Sequence, residues 1–208
     1  MIKWNRDAIL IKLRMRETRM EYMLSAVRKD ELKIMKELKD YVITIPDYPK
    51  KGIMFRDITS ILDDADGLHL AIDQLQALLD GVDFDVIVGT ESRGFIFGMP
   101  IAYNLHKPFV LVRKKGKLPR ETISETYDLE YGTATVEIHK DSIKPGQKVV
   151  LVDDLIATGG TIEAAAKLVE RLGGEVVKMI FVMELEGLKG RERLSRYDIG
   201  SVIKYPGA

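Results

Sequence analysis

The chain has no cysteine, which removes disulfides, thiolate nucleophiles and Cys-ligated metals from consideration. It has no excess of either charge. Lys+Arg and Asp+Glu stand at 32 each, so no overall field points to nucleic acid or to a membrane surface. No apolar run approaches the roughly 20 residues that a bilayer-spanning helix needs. The three histidines, His69, His106 and His139, lack metal-ligand spacing and read as surface or core residues. Internal repeats and low-complexity segments are also missing. What remains is a 208-residue chain, 46% hydrophobic and 31% charged. That composition fits a globular protein, most simply one domain with a substantial core. The lack of cysteine fits a reducing compartment, and a cytoplasmic location is expected.

Residues 1–34 differ from the rest, with nine Lys/Arg against five Asp/Glu and four of the nine methionines. Ile9, Leu13, Met20, Leu24 and Val27 recur at rough helical spacing, interrupted by Arg16 and Glu17. This stretch is expected to be an appended amphipathic helix, with the main domain at 35–208. A signal peptide is not expected, because a clean apolar segment and a small-residue cleavage site are missing. Two origins stay open: an upstream translation start, or a real extension.

From residue 31 the pattern tightens. Helices are expected at 31–39, 67–79 (capped by Asp66), 94–105, 161–172 and 187–194. Strands are expected at 41–45, 85–89, 109–113, 133–138, 149–152, 176–183 and 201–204. Residues 118–129 show no periodicity and read as a long loop. Strands rich in Val and Ile that alternate with helices predict a doubly wound, mainly parallel α/β sheet flanked by helices.

The most informative stretch is VVLVDDLIATGGT at 149–161. Four apolar residues run into two carboxylates, Asp153 and Asp154. A turn containing Ala157, Thr158, Gly159, Gly160 and Thr161 follows, and an amphipathic helix begins there. Glycines let successive backbone N–H groups converge, and a helix N-terminus adds positive potential, so the loop suits a phosphate monoester. The paired carboxylates can accept hydrogen bonds from sugar hydroxyls. A phosphate beside a sugar diol describes a ribose 5-phosphate. The stretch matches neither G-x-x-x-x-G-K-[ST] nor G-x-G-x-x-G.

This segment closely resembles the 5-phosphoribosyl-1-pyrophosphate (PRPP) signature of type I phosphoribosyltransferases. Four more segments extend the likeness in chain order: IMFRDIT at 53–59, GTESRGFIFG at 89–98, RKKGKLP at 113–119 and YDLEYG at 127–132. Over residues 35–205 the ordered set resembles the adenine phosphoribosyltransferase family. The resemblance implies a type I phosphoribosyltransferase fold with a small N-terminal hood. It also implies synthesis of AMP from adenine and PRPP with release of pyrophosphate, Mg²⁺ as cofactor, and a homodimer. It implies neither a nucleic-acid partner nor a membrane.

Site roles follow from the same resemblance. Ser92 and Arg93 would meet pyrophosphate, in a loop expected to hold a non-proline cis peptide at Glu91–Ser92. Arg113, Lys114 and Lys117 would meet PRPP, one of the lysines near a subunit interface. Phe55 and Leu155 would sandwich adenine, with backbone groups of Met54 and Arg56 reading its amino-substituted edge. Glu130 would be the acid/base group and Tyr131 its neighbour in a flexible loop. Asp153 and Asp154 would act on the ribose hydroxyls and on hydrated Mg²⁺. Enzymes for 6-oxopurines place a Lys after the acidic strand, whereas this chain offers Met183 and Glu184, with Lys178 earlier. Two alternatives stay open: the same transfer to another base, such as xanthine or orotate, or a PRPP-sensing regulator of the same fold.

Overall fold

The computed structural model describes residues 36–128 and 132–207. From Leu38 onward the described residues make one unit. A single 3-10 turn, Leu38–Tyr41, leads into a two-stranded antiparallel hairpin, β1 (Ile43–Pro46) and β2 (Met54–Asp57). Helix α1 (Ala65–Ala77) follows, then β3 (Val86–Thr90), α2 (Arg93–Asn104), β4 (Phe109–Lys114), β5 (Thr122–Asp128) and β6 (Thr133–His139). The chain continues through β7 (Lys148–Ile156), α3 (Gly160–Arg171), β8 (Glu175–Leu185), a one-turn helix α4 (Gly190–Arg193) and β9 (Ile199–Tyr205).

Seven strands form the main sheet in the order β5-β6-β4-β3-β7-β8-β9. Pairs among β4, β3, β7, β8 and β9 are parallel, and the β5–β6 hairpin joins β4 antiparallel. Both faces of β7 are buried. Val150 and Val152 of β7 enter a cluster with Leu75 of α1 and Phe97 of α2. Val149 and Leu151 enter a second cluster with Ala165 and Leu168 of α3. Successive strand side chains point to opposite faces, so an unbroken apolar run is what a doubly covered strand requires. This is the doubly wound, mainly parallel sheet that the sequence predicts.

The site follows from the winding. β3 runs through α2 to β4 on one side, and β7 runs through α3 to β8 on the other. A crevice opens outside the carboxyl ends of such a divergent pair. β3 pairs with β7 only as far as Gly89–Val152, whereas β7 stays paired with β8 out to Ile156–Glu184. Asp153 and Asp154 therefore lie on a hydrogen-bonded strand but beyond its β3 neighbour.

Four expectations are corrected. The cap of α1 is Asp64, which accepts from the N–H groups of Asp66 (2.9 Å) and Gly67 (3.1 Å), so the helix starts two residues early. Residues 122–128 are a strand, not part of a loop. Ile123, Glu125 and Tyr127 are half-buried, and Ser124, Thr126 and Asp128 are exposed. A glutamate at an inward position hides that period; Arg171 of α3 meets its carboxylate at 3.2 Å. The stretch expected as one helix at 187–194 splits into a 3-10 turn, Glu186–Leu188, and α4, divided at Lys189 in the left-handed conformation (φ 58°). The expected helix within residues 1–34, and residues 31–35 of that at 31–39, lie outside the described residues; the described end of the latter is irregular at 36–37 and a 3-10 turn from Leu38, not an α-helix.

Candidate active site

The glycine turn runs straight into a helix N-terminus. Gly159 adopts φ 80°, a conformation that favours glycine, and α3 begins at the next residue. The first N–H groups of a helix lack intrahelical partners and carry its positive end. Thr161 Oγ1 donates to the Tyr127 hydroxyl at 3.0 Å, tying the helix start to β5. Behind the turn stands Gly190: a Cβ there would lie 2.3 Å from the Ala157 carbonyl oxygen. Its own carbonyl would be 3.1 Å from a Cβ at Gly159. This backing segment is clamped by an ion pair whose carboxylate is buried. Arg191 donates to both Glu184 carboxylate oxygens (2.9 and 2.6 Å) and to the Ile199 carbonyl (2.9 Å). The Ser201 hydroxyl adds a bond to Glu184 at 2.5 Å.

The paired carboxylates differ. Asp154 is only 4% exposed, and the Arg93 Nε forms an ion pair with it. Asp153 is half-buried and accepts from the Asp154 N–H at 2.9 Å. Burial pushes the Asp153 carboxyl well above the usual carboxylate range, the Asp154 carboxylate adds to the rise, and the Thr90 hydroxyl opposes it.

Next to them the Glu91–Ser92 peptide is cis, as expected of this loop. Glu91 is a hub. It accepts from the Lys114 N–H (3.0 Å) and Arg113 Nε (3.3 Å), and it forms an ion pair with Lys117. Burial acts to raise Glu91, but the Lys117 and Lys114 hydrogen bonds and the nearby charges hold it below the usual carboxylate range.

A cleft of about 480 Å³ brings together Ser92, Arg93, Lys114, Asp153, Asp154, Leu155 and the whole turn from Ala157 to Thr161. Arg113 and Lys117 stand outside its lining and bond to Glu91 instead. Met54, Phe55 and Arg56 lie on β2 and do not line it either; Phe55 is 37% exposed and meets Tyr48 edge-on at 5.1 Å. Glu130 and Tyr131 fall between β5 and β6, outside the described residues. Sequence reasoning missed Glu91 and Tyr127. The lone acid in GTESRG was the signal for the first; for the second the two-residue period of TISETYD was hidden by the inward Glu125. No group of three or more His, Asp or Glu side chains is gathered for a metal among the described residues. The oxygen donors of Asp153 and Asp154 fit a hard cation completed by substrate and water.

Residues 57–203 match the model of the phosphoribosyl transferase domain. The adenine phosphoribosyltransferase of Agathobacter rectalis is 73% identical over 173 residues, covering 83% of this chain and 99% of that protein. The chain belongs to the adenine phosphoribosyltransferase family. Its fold is accordingly the type I phosphoribosyltransferase fold. The family's crystal structure from Thermoanaerobacter pseudethanolicus superposes with a TM-score of 0.78 at 56% identity, covering 81% of this chain and 98% of that one. The family's structure from Saccharomyces cerevisiae, solved with adenine and an imino-altritol bisphosphate, gives 0.74 at 42% identity, covering 79% and 96%.

Proposed function

We propose that this enzyme makes AMP by transferring the 5-phosphoribosyl group of PRPP to adenine, releasing pyrophosphate. One observation carries the reading: an acidic pair and a glycine turn share a single cleft with Ser92, Arg93 and Lys114. In this reading the N–H groups of Ala157–Thr161 hold the 5′-phosphate. Asp153 and Asp154 accept from the ribose hydroxyls and steady positive charge as C1′ gains oxocarbenium character. Ser92, Arg93 and Lys114 take the pyrophosphate, Arg93 exchanging its carboxylate partner for phosphate oxygens. Arg113 and Lys117 join them once Glu91 releases them.

Adenine stacks on Phe55 against Leu155, with backbone groups of Met54 and Arg56 at its amino edge. Glu130 takes the proton that the base loses, with Tyr131 assigned beside it to keeping water from PRPP. Asp153 and Asp154 would hold Mg²⁺, which when bound would supply charge neutralisation for pyrophosphate. Ile96, Met99 and Tyr103 form an exposed apolar stripe on α2, with Leu111 of β4 also exposed. That stripe supports a homodimer, the second copy covering it. Use of PRPP and the cysteine-free sequence support a cytoplasmic setting.

The test is direct. Purified protein with adenine, PRPP and Mg²⁺ should release AMP and pyrophosphate in equal amounts. Hypoxanthine, guanine, xanthine and orotate should give little product. Transfer to one of those bases in preference to adenine, or PRPP binding with no transfer at all, would overturn the reading.

A further inference from the structure

The hairpin that carries Phe55 has few contacts with which to hold its place. Its two strands pair only with each other, and most of their residues are exposed. A segment with so little burial depends on individual contacts for its position. Ser60 Oγ ties both strands at one end, accepting from the Ile43 N–H at 2.9 Å and donating to the Asp57 carbonyl at 2.7 Å. A stack adds to this. The Arg56 guanidinium carbon lies 4.4 Å from the centroid of the Tyr205 ring, and Lys39 Nζ lies 5.1 Å from the same centroid. Tyr205 ends β9, is 5% exposed, and packs with Leu38, Ile58 and Ile61 in the first core cluster. It is a buried ring at the end of a sheet strand, onto which two cations fasten.

Strand geometry links this ring to the base. Arg56 and Phe55 are successive residues of β2, so their side chains leave on opposite faces. Arg56 also donates to Thr44 Oγ1, its register partner across the hairpin. One face of the hairpin is thus pinned to the core, and the other presents Phe55 with Tyr48 against its edge. The guanidinium is committed to Tyr205 and Thr44.

We infer that Tyr205 is a positioning residue for the nucleobase: its ring, held by Arg56 and Lys39, sets where Phe55 stands. The inference rests on the assignment of adenine to Phe55. It is tested in the full chain by steady-state kinetics of Tyr205→Leu, Tyr205→Phe, Arg56→Gln and Phe55→Ala, with a thermal melt of each. Cation–ring contacts of this kind correspond to roughly 2- to 30-fold in an equilibrium constant.

Tyr205→Leu should raise the adenine KM about 3- to 10-fold, on that scale, and leave the PRPP KM within about twofold. Tyr205→Phe keeps the ring and should restore the adenine KM. Arg56→Gln, at a half-buried surface position, should raise the adenine KM as Tyr205→Leu does and stands in should the Leu variant not fold. Equal increases in both KM values, no rescue by Phe, or an unchanged adenine KM in folded Arg56→Gln would overturn the inference. If Phe55→Ala raises the adenine KM while the Tyr205 and Arg56 variants do not, only the positioning role fails. If Phe55→Ala leaves the adenine KM unchanged, the assignment of the base to Phe55 fails with it.

Discussion

Arg93 donates from its Nε to the Asp154 carboxylate, so the guanidinium proposed for pyrophosphate and the carboxylate proposed for ribose hold one another. The two residues are 61 positions apart and sit on α2 and β7, either side of the crevice. Asp154 is the buried partner and Arg93 the half-exposed one, so arriving substrate can draw the arginine away while the carboxylate stays in place.

Asp154→Asn should therefore cut turnover with little change in fold. A hydrogen bond to a charged group contributes about 1.5–3 kcal/mol, which corresponds to a loss of roughly 10- to 150-fold in kcat. Arg93 keeps contact with solvent, so the melting temperature should move by only a few degrees. Wild-type turnover in the folded variant would remove the acidic pair from the reaction.

Phe55→Ala should raise the adenine KM far more than the PRPP KM. Stacking of a base on an aromatic ring contributes about 1–3 kcal/mol, a scale of roughly 5- to 150-fold. Initial-rate measurements with each substrate varied in turn check this. Equal shifts for both substrates would make Phe55 a packing residue of the hairpin.

The Glu184–Arg191 pair predicts an acid-sensitive contribution to stability. The Arg191 hydrogen bond holds Glu184 below the usual carboxylate range, against burial and with help from Ser201. A carboxyl depressed in the folded state stabilises fully above its unfolded pKa, about 4.3, and loses that contribution as pH falls through its lower folded value. Glu184→Gln should be about 1–3 kcal/mol less stable than wild type at pH 7. Urea melts from neutral pH downward should show the gap closing only below about pH 4.3. A gap that stays constant into acid would mean that the carboxylate's charge contributes nothing.

We further propose that residues 1–34 are an appendage to a domain at 35–208. Deleting them should leave AMP formation within about twofold of the full chain, since the sites assigned to substrate all lie at Met54 or beyond. An inactive or insoluble truncated protein would make the extension part of the fold.

Much of this was legible in local pattern. The run into Asp153 and Asp154, the glycine turn and the helix after it are contiguous, so the strand, the crevice and the cradle could be read together. β5 was not legible, because Glu125 occupies an inward position and only Arg171, 46 residues away, makes that tolerable. Nor were the partners of the cations. RKKGK reads as a set of phosphate ligands, yet Glu91, 22 residues from Arg113, takes two of its side chains. Charge pairing across a crevice depends on which strands become neighbours, and a one-dimensional pattern does not carry that.

The contact between Gly190 and the carbonyl of Ala157 makes the shape of the phosphate turn a property of two segments at once. No side chain at position 190 fits without pushing the turn toward the cleft, and the turn cannot relax backward without meeting Gly190. For the phosphate role proposed above, a turn shaped by its own backing would leave little ordering to oppose binding. Redesigning the turn for a bulkier or uncharged group would mean recutting the wall behind it as well. Libraries confined to residues that line the cleft would miss the position that limits them.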